Sequence, residues 1–289
     1  MSITALNKST LIAQFKEHYS KSITELSTNP KYLHLNINNY VDKYKSDCSF
    51  ISTHKEIIQS GSFGEIYECH VDTLHLIVKR IPVYYPFKKY SSKYNIGINN
   101  NIESGQFYSG YIDNFLNEVL INIILQNENK QLFCPLVGFN FTEDTQNKEM
   151  LGYFFIIMEH CGHSIKDVSF SDLLPWFIEI AQALQIMHSK NIVHNDIANR
   201  NILVINQHIR LIDFGMSEIT DDIDKFKRDI YLFNKMLLDT ITYITDIDDL
   251  GPFTPLQPIL SNLDNSDLYP SIEHIISELI TLHIHFQKI

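Results

Sequence analysis

Long apolar runs are missing from this 289-residue chain. The longest, such as Phe154–Met158, fall far short of the roughly 20 residues a helix needs to cross a bilayer. Met1 to Thr10 lack the apolar core of a secretion signal, so a soluble location is expected. Cysteine is scarce: Cys48, Cys69, Cys134 and Cys161 are the only four, and none form a C-x-x-C. That spacing excludes the common zinc and redox frameworks. Cys69 and Cys134 sit in apolar surroundings and read as reduced core thiols, so a reducing compartment such as the cytoplasm is expected. Basic residues are outnumbered, 23 Lys+Arg against 34 Asp+Glu, for a net charge of −11. This balance argues against gripping nucleic acid across the whole surface. No repeat period appears.

What remains is a globular composition, 44% apolar and 20% charged, in a chain long enough for one domain of two lobes or two small domains. The first 90 residues carry 11 Lys+Arg against 8 Asp+Glu, and the rest carry 12 against 26. Either two lobes with different jobs or a solvated surface accounts for that asymmetry. Residues 1–50 read as an N-terminal helical extension. Short strands are expected at 56–58, 66–69 and 74–78, with Gly61-Ser62-Phe63-Gly64 turning between the first two. Residues 82–112, rich in Tyr, Asn, Ser and Gly, read as a long insertion. Phe115, Leu116, Val119, Leu120, Ile123 and Ile124 make one apolar stripe of a helix. Strands follow at 136–141 and 153–158. Beyond Gly162 the pattern turns helical. Ser171 is expected to cap one helix and Asn191 to close it. Strands are expected at 202–205 and 209–212, and further helices at 229–241 and 272–282. A strand-rich first part before a helix-rich second part is an α+β arrangement.

Five features fall in one order: the glycine turn at Gly61 and Gly64, Lys79 ending a strand, Glu118 on the next helix, His194-Asn195-Asp196-Ile197-Ala198-Asn199-Arg200-Asn201, and Asp213-Phe214-Gly215. Each alone is weak. A glycine turn serves any hairpin, and His194 could be a satisfied core histidine. Together they resemble the protein-kinase superfamily, from about residue 57 to the helix at Asp229. The resemblance implies a two-lobed kinase-like fold, with an N-lobe at 51–161 and a C-lobe at 162–289. It also implies transfer of the γ-phosphoryl of ATP to a hydroxyl, Ser or Thr of a protein substrate in first place. A small-molecule kinase of the aminoglycoside-phosphotransferase kind and a non-catalytic pseudokinase are the alternatives.

The roles implied by the resemblance follow the needs of phosphoryl transfer, which is mostly positioning and charge neutralisation. Ser60, Gly61, Ser62, Phe63 and Gly64 would let backbone approach the phosphates. Lys79 would hold the α/β-phosphates, with Glu118 holding Lys79. Asn201 and Asp213 would bind Mg²⁺, or Mn²⁺ in its place. Asp196 would accept the hydroxyl proton, and Arg200 would steady the γ-phosphate. Met158 would be the gatekeeper, Glu159 and Cys161 would bond adenine through their backbone, and Ile58, Ile66, Ile77 and Leu203 would wall it. His160-Cys161-x-His163 reads as hinge packing rather than a metal site, its ligands being crowded on one turn.

Three departures stand out. Gln59 replaces the first loop glycine. Asn195 stands where an arginine usually precedes the catalytic aspartate and receives an activation-loop phosphate, so no such switch is expected. Only 16 positions separate Asp213 from Asp229, too few for an activation segment and A-P-E. Haspin, the RIO kinases, lipopolysaccharide kinases and some viral or effector kinases are similarly reduced, and for those last two the host cytoplasm would be the setting. Glu218, Asp221, Asp222 and Asp224 lie in that short interval. They would attract a substrate with a basic surface, or form a solvated turn.

Overall fold

The computed structural model describes residues 56–61, 64–71, 73–84, 104–144, 146, 147, 150–164, 170–245, 256 and 271–286, with isolated helical positions between 13 and 24. The helices expected before residue 50 otherwise lie outside the described residues. Two compact units divide the chain: Met1–Ile124 with Pro135–His160, and Leu125–Cys134 with Cys161–Ile289.

The first unit is an antiparallel sheet with a helix. Its strands are β1 (Glu56–Gly61), β2 (Gly64–Val71), β3 (Leu74–Tyr84), β4 (Leu136–Glu143) and β5 (Met150–Glu159), in the order β1-β2-β3-β5-β4. Alternation decides what each face carries. Tyr67, Cys69, Leu76, Val78, Phe155 and Ile157 form a core on one face. In the register between them, Ile66 pairs with Lys79 and Lys79 with Ile156, which belong to the other face. Helix α1 (Ser104–Glu128) covers part of that second face. Its Phe115 ring stacks on Phe154 at 4.1 Å and meets Phe139 edge-on at 6.1 Å. Burying aromatic side chains of this size contributes about 2–3 kcal/mol each. The insertion expected at 82–112 is narrower than the composition suggested, because β3 runs on to Tyr84 and α1 begins at Ser104. Residues 85–103 lie outside the described residues.

The second unit is mainly helical. It holds α2 (Phe170–Ser189), α3 (Ile223–Thr245) and α4 (Ile272–Phe286). Its short strands are β6 (His163–Ser164), β7 (Ile192–Val193), β8 (Ile202–Ile205), β9 (His208–Leu211) and β10 (Glu218–Ile219). The stripe Leu174, Phe177, Ala181, Leu184 and Met187 of α2 is buried, as are Ile275, Leu279 and Leu282 of α4. Helix α2 begins at Phe170, one residue before the Ser171 expected to cap it. Asn191 closes it in the left-handed conformation (φ 58°), its N–H donating to the His188 carbonyl at 3.0 Å. Asparagine tolerates that conformation better than most residues. Helix α3 starts six residues before the expected Asp229.

Cys134 and Cys161 are joined as a disulfide across a Cα–Cα distance of 5.9 Å, within the ordinary span of such bonds. This corrects the reading of Cys134 as a reduced thiol, whereas Cys69 is a buried thiol outside the disulfide. The two half-cystines are also where the chain leaves the second unit and returns to it. No helix among the described residues is long and apolar enough to cross a membrane.

Candidate active site

The first unit contributes a buried ion pair. Lys79 Nζ donates to Glu118 Oε1 at 2.7 Å, and both residues are almost wholly buried. Strand and helix explain the meeting. Lys79 shares the sheet face that α1 covers, and Glu118 follows Phe115 by three residues, so both lie on one side of the helix. A buried charge is tolerated only with a partner, and each supplies the other's. At the turn between β1 and β2, Gly61 pairs with Gly64. Gly64 has φ 124°, and a Cβ there would stand 2.2 Å from the Arg80 carbonyl oxygen. Only glycine fits that crossing. Ser62 and Phe63 lie outside the described residues, as do the side chains of Ile58 and Ser60. Ile66 and Ile77 are half-buried on the Lys79 face, and Ile77 pairs with Met158 on β5. Glu159 is exposed; its N–H donates to the Pro135 carbonyl.

The second unit contributes a loop with every turn fastened. Asp229, with no exposed surface, anchors it from α3. Its Oδ2 accepts from the His194 N–H at 2.7 Å and its Oδ1 from the Asn195 N–H at 2.8 Å. His188 Nε2 lies 3.2 Å from Oδ2. Asn195 adopts a left-handed backbone (φ 63°) and donates through Nδ2 to the Met216 carbonyl at 3.0 Å. Burial pushes the His194 imidazole below its usual range, against the opposing pull of Asp229. Its contacts fit a neutral ring: Nε2 donates to the Ile212 carbonyl at 3.2 Å, and Nδ1 accepts from the Asp196 N–H at 3.3 Å. His194 is thus a satisfied core histidine that also shapes the loop.

That fastening leaves Asp196 half-buried, with both carboxylate oxygens engaged. Asn201 Nδ2 donates to Oδ2 at 2.8 Å and to the Asp196 carbonyl at 2.8 Å, and Arg200 donates to Oδ1. Asn201 is buried with its amide nitrogen so committed, which leaves the amide oxygen as its ligand atom. Asp213 is held in the left-handed region, φ 64°. An amide oxygen and a carboxylate are the hard donors that Mg²⁺ takes, so the donor set fits that ion. Phe214, the next residue, is buried between His194 and Phe133. Leu203 lies on β8, half-buried, and Cys161 is buried in its disulfide.

From Asp213 the chain goes directly to α3. A single turn at Phe214–Met216 leads into β10, which pairs with β7, and the Thr220 N–H donates to the Asn191 carbonyl at 2.8 Å. Helix α3 then begins at Ile223. Asp222 is its N-cap, accepting from the Asp224 N–H at 3.0 Å and so satisfying an orphan donor. Glu218 is paired with Lys225, and Asp224 lies 3.8 Å from Lys227. Capping and local pairing therefore account for most of the acidic stretch. The His160-Cys161-x-His163 run forms no cluster: His163 is exposed on β6, and Cys161 is in the disulfide. Sequence reasoning did not foresee His188 on Asp229, nor the stacking of His160 on His75 at 3.9 Å.

Residues 107–231, a little under half of the chain, match the family model described as protein tyrosine and serine/threonine kinase. Gly64 and Lys79 precede the matched stretch. A melanoma receptor tyrosine-protein kinase of Xiphophorus maculatus is 28% identical over 33% of this chain and 8% of its own length. A protein of Acanthamoeba polyphaga mimivirus named as a serine/threonine-protein kinase is 35% identical over 29% of this chain and 14% of its own. The receptor tyrosine-protein kinase erbB-2 of Mus musculus is 29% identical over 30% of this chain and 7% of its own. The chain thus spans only a small part of the curated relatives it matches.

Proposed function

We propose that this chain, which belongs to the protein-kinase superfamily, transfers the γ-phosphoryl group of ATP to a hydroxyl of a protein substrate, Ser or Thr in first place. The observation that carries the reading is the loop around Asp196: a carboxylate held by Asn201 and Arg200, on backbone fastened by the buried Asp229.

In this reading the acceptor hydroxyl gives its proton to the Asp196 carboxylate as its oxygen bonds to the γ-phosphorus. The bond from that phosphorus to the β,γ-bridging oxygen breaks, and ADP carries the electron pair away. Lys79, oriented by Glu118, holds the α/β-phosphates. Arg200 turns from Asp196 toward the γ-phosphate as nucleotide arrives. Asn201 and Asp213 would hold Mg²⁺, which neutralises phosphate charge. Gly61 and Gly64 would let backbone approach the phosphates. The proposed setting is the cytoplasm, where the Cys134–Cys161 bond would be open to reduction.

The direct passage from Asp213 to α3 favours a second reading, a kinase of small hydroxylated molecules, because little chain remains to seat a peptide. Labelled ATP added to the purified chain with a cell lysate separates the two. Label in protein on a gel supports the first. Label only in small molecules by chromatography supports the second. No transfer into either, with no nucleotide-dependent rise in melting temperature, overturns both.

A further inference from the structure

Away from the phosphotransfer residues, the β2–β3 hairpin gathers three metal-ligating side chains. Glu68 and His70 are two apart on β2, so they share one face, and His70 is paired directly with His75 on β3. Two residues, Asp72 and Thr73, separate the strands, so the register brings His75 back onto that same face. One ligand atom from each of Glu68, His70 and His75 lies within 4.8 Å of the others. His75 Nε2 is hydrogen-bonded to Glu68 Oε1. His70 stacks on His75 at 4.3 Å, and His75 stacks on His160 at 3.9 Å. The His160 N–H donates to the His75 carbonyl at 2.9 Å, which fixes the third imidazole beside the pair.

We infer that Glu68, His70 and His75 form a binding site for a borderline divalent transition ion of the Zn²⁺ class. Imidazole with one carboxylate is a donor set suited to zinc, copper or nickel, whereas magnesium and calcium take oxygen ligands. Ligand atoms around one tetrahedral zinc stand about 3.3 Å apart at bond lengths near 2.0–2.1 Å. The present spread closes to that by rotation of His70, which is exposed. The carboxylate already oriented on His75 moves to the ion, and the fourth position is left to water. Three ligands and an open position make a surface ion that stiffens the hairpin tip. This site shares a sheet face with Lys79 but none of the residues assigned to phosphotransfer, so it stands or falls independently of that reading.

The test is isothermal titration of the chelator-stripped full chain with Zn²⁺, and with Co²⁺ followed by its visible spectrum. One saturable site and a tetrahedral-type Co²⁺ spectrum are expected. H70A and H75A should each weaken Zn²⁺ binding by more than the roughly 10- to 100-fold that outer-shell partners command. E68Q, which keeps the side-chain shape, should weaken it too. The control H283A/H285A, on α4, should bind as the original does. If the original chain takes up no stoichiometric Zn²⁺, or if the H70A/H75A double variant binds equally well, the cluster is only a hydrogen-bonded imidazole stack and the inference fails.

Discussion

Lys79 and Glu118 carry charge into the core as a mutually compensating pair. A lysine and a glutamate, both almost fully buried, contribute less to folding than a well-packed apolar pair of similar size, yet removing one partner leaves the other uncompensated. Lys79→Met should therefore lower stability by about 3–5 kcal/mol as well as abolish phosphate binding. Lys79→Met with Glu118→Gln should recover much of that loss while staying inactive. Denaturant unfolding of the two single variants and the double variant checks this coupling. Additive losses would mean that the pair does not act as one. His194 gives a second residue-scale prediction. Burial holds its folded-state affinity for protons below the unfolded value, so below a pH of about 6.5 the unfolded chain takes up a proton that the folded chain refuses. Stability should fall as the pH drops through that value, and His194→Gln should flatten the slope. Equal slopes in thermal melts from pH 7 to 5 would count against it.

Among the elements, α3 does much of the positioning, since its Asp229 accepts from the N–H groups of His194 and Asn195, at the entrance of the loop that carries Asp196. Asp229→Ala strands those donors in the interior, and each buried donor left unpaired costs about 1–3 kcal/mol. A loss of about 3 kcal/mol or more is expected, with activity falling further than Asp229→Asn, which keeps an acceptor. Calorimetry alongside phosphotransfer rates checks this. The segment before α3 gives another prediction. Its hydroxyls are Ser217, buried with Oγ donating to the His194 carbonyl at 3.3 Å, and half-buried Thr220. Burial withholds Ser217 from modification, and Asn195 offers no cation to receive a phosphate on either residue. Replacing both with alanine should leave activity within a few-fold and cost about 1 kcal/mol in stability. A collapse rescued by acidic substitutions would contradict this.

At the scale of the whole molecule, the sequence declared the order of elements because alternation and helical stripes are strong signals in β2, β3, β5 and α2. The candidate site was read from residue types at fixed spacings, with Lys79 on β3, Glu118 on α1, and Asp196, Arg200, Asn201 and Asp213 between α2 and α3. What escaped had physical reasons. The first nine residues of α1, 104–112, are rich in Ser, Gly and Tyr, which read as loop, and no apolar stripe marks them as helix. The Cys134–Cys161 bond joins residues 27 apart, and no local pattern marks such a meeting. Glu68, His70 and His75 come together only once the two-residue turn fixes the register. The acidic stretch read equally as a docking surface or a solvated turn, and nothing local marked that Asp222 spends its carboxylate as a helix cap.

The central claim is that Asp196 and Asp213 do chemistry rather than support the fold. Both are half-buried, so Asp196→Asn and Asp213→Asn should keep the melting temperature within a few degrees. The most direct measurement is the rate of radiolabel transfer from ATP by the purified chain and these two variants, each at equal folded concentration. The account predicts transfer by the original chain and a loss of about 100-fold or more in each variant. Near-original rates in both variants would contradict it.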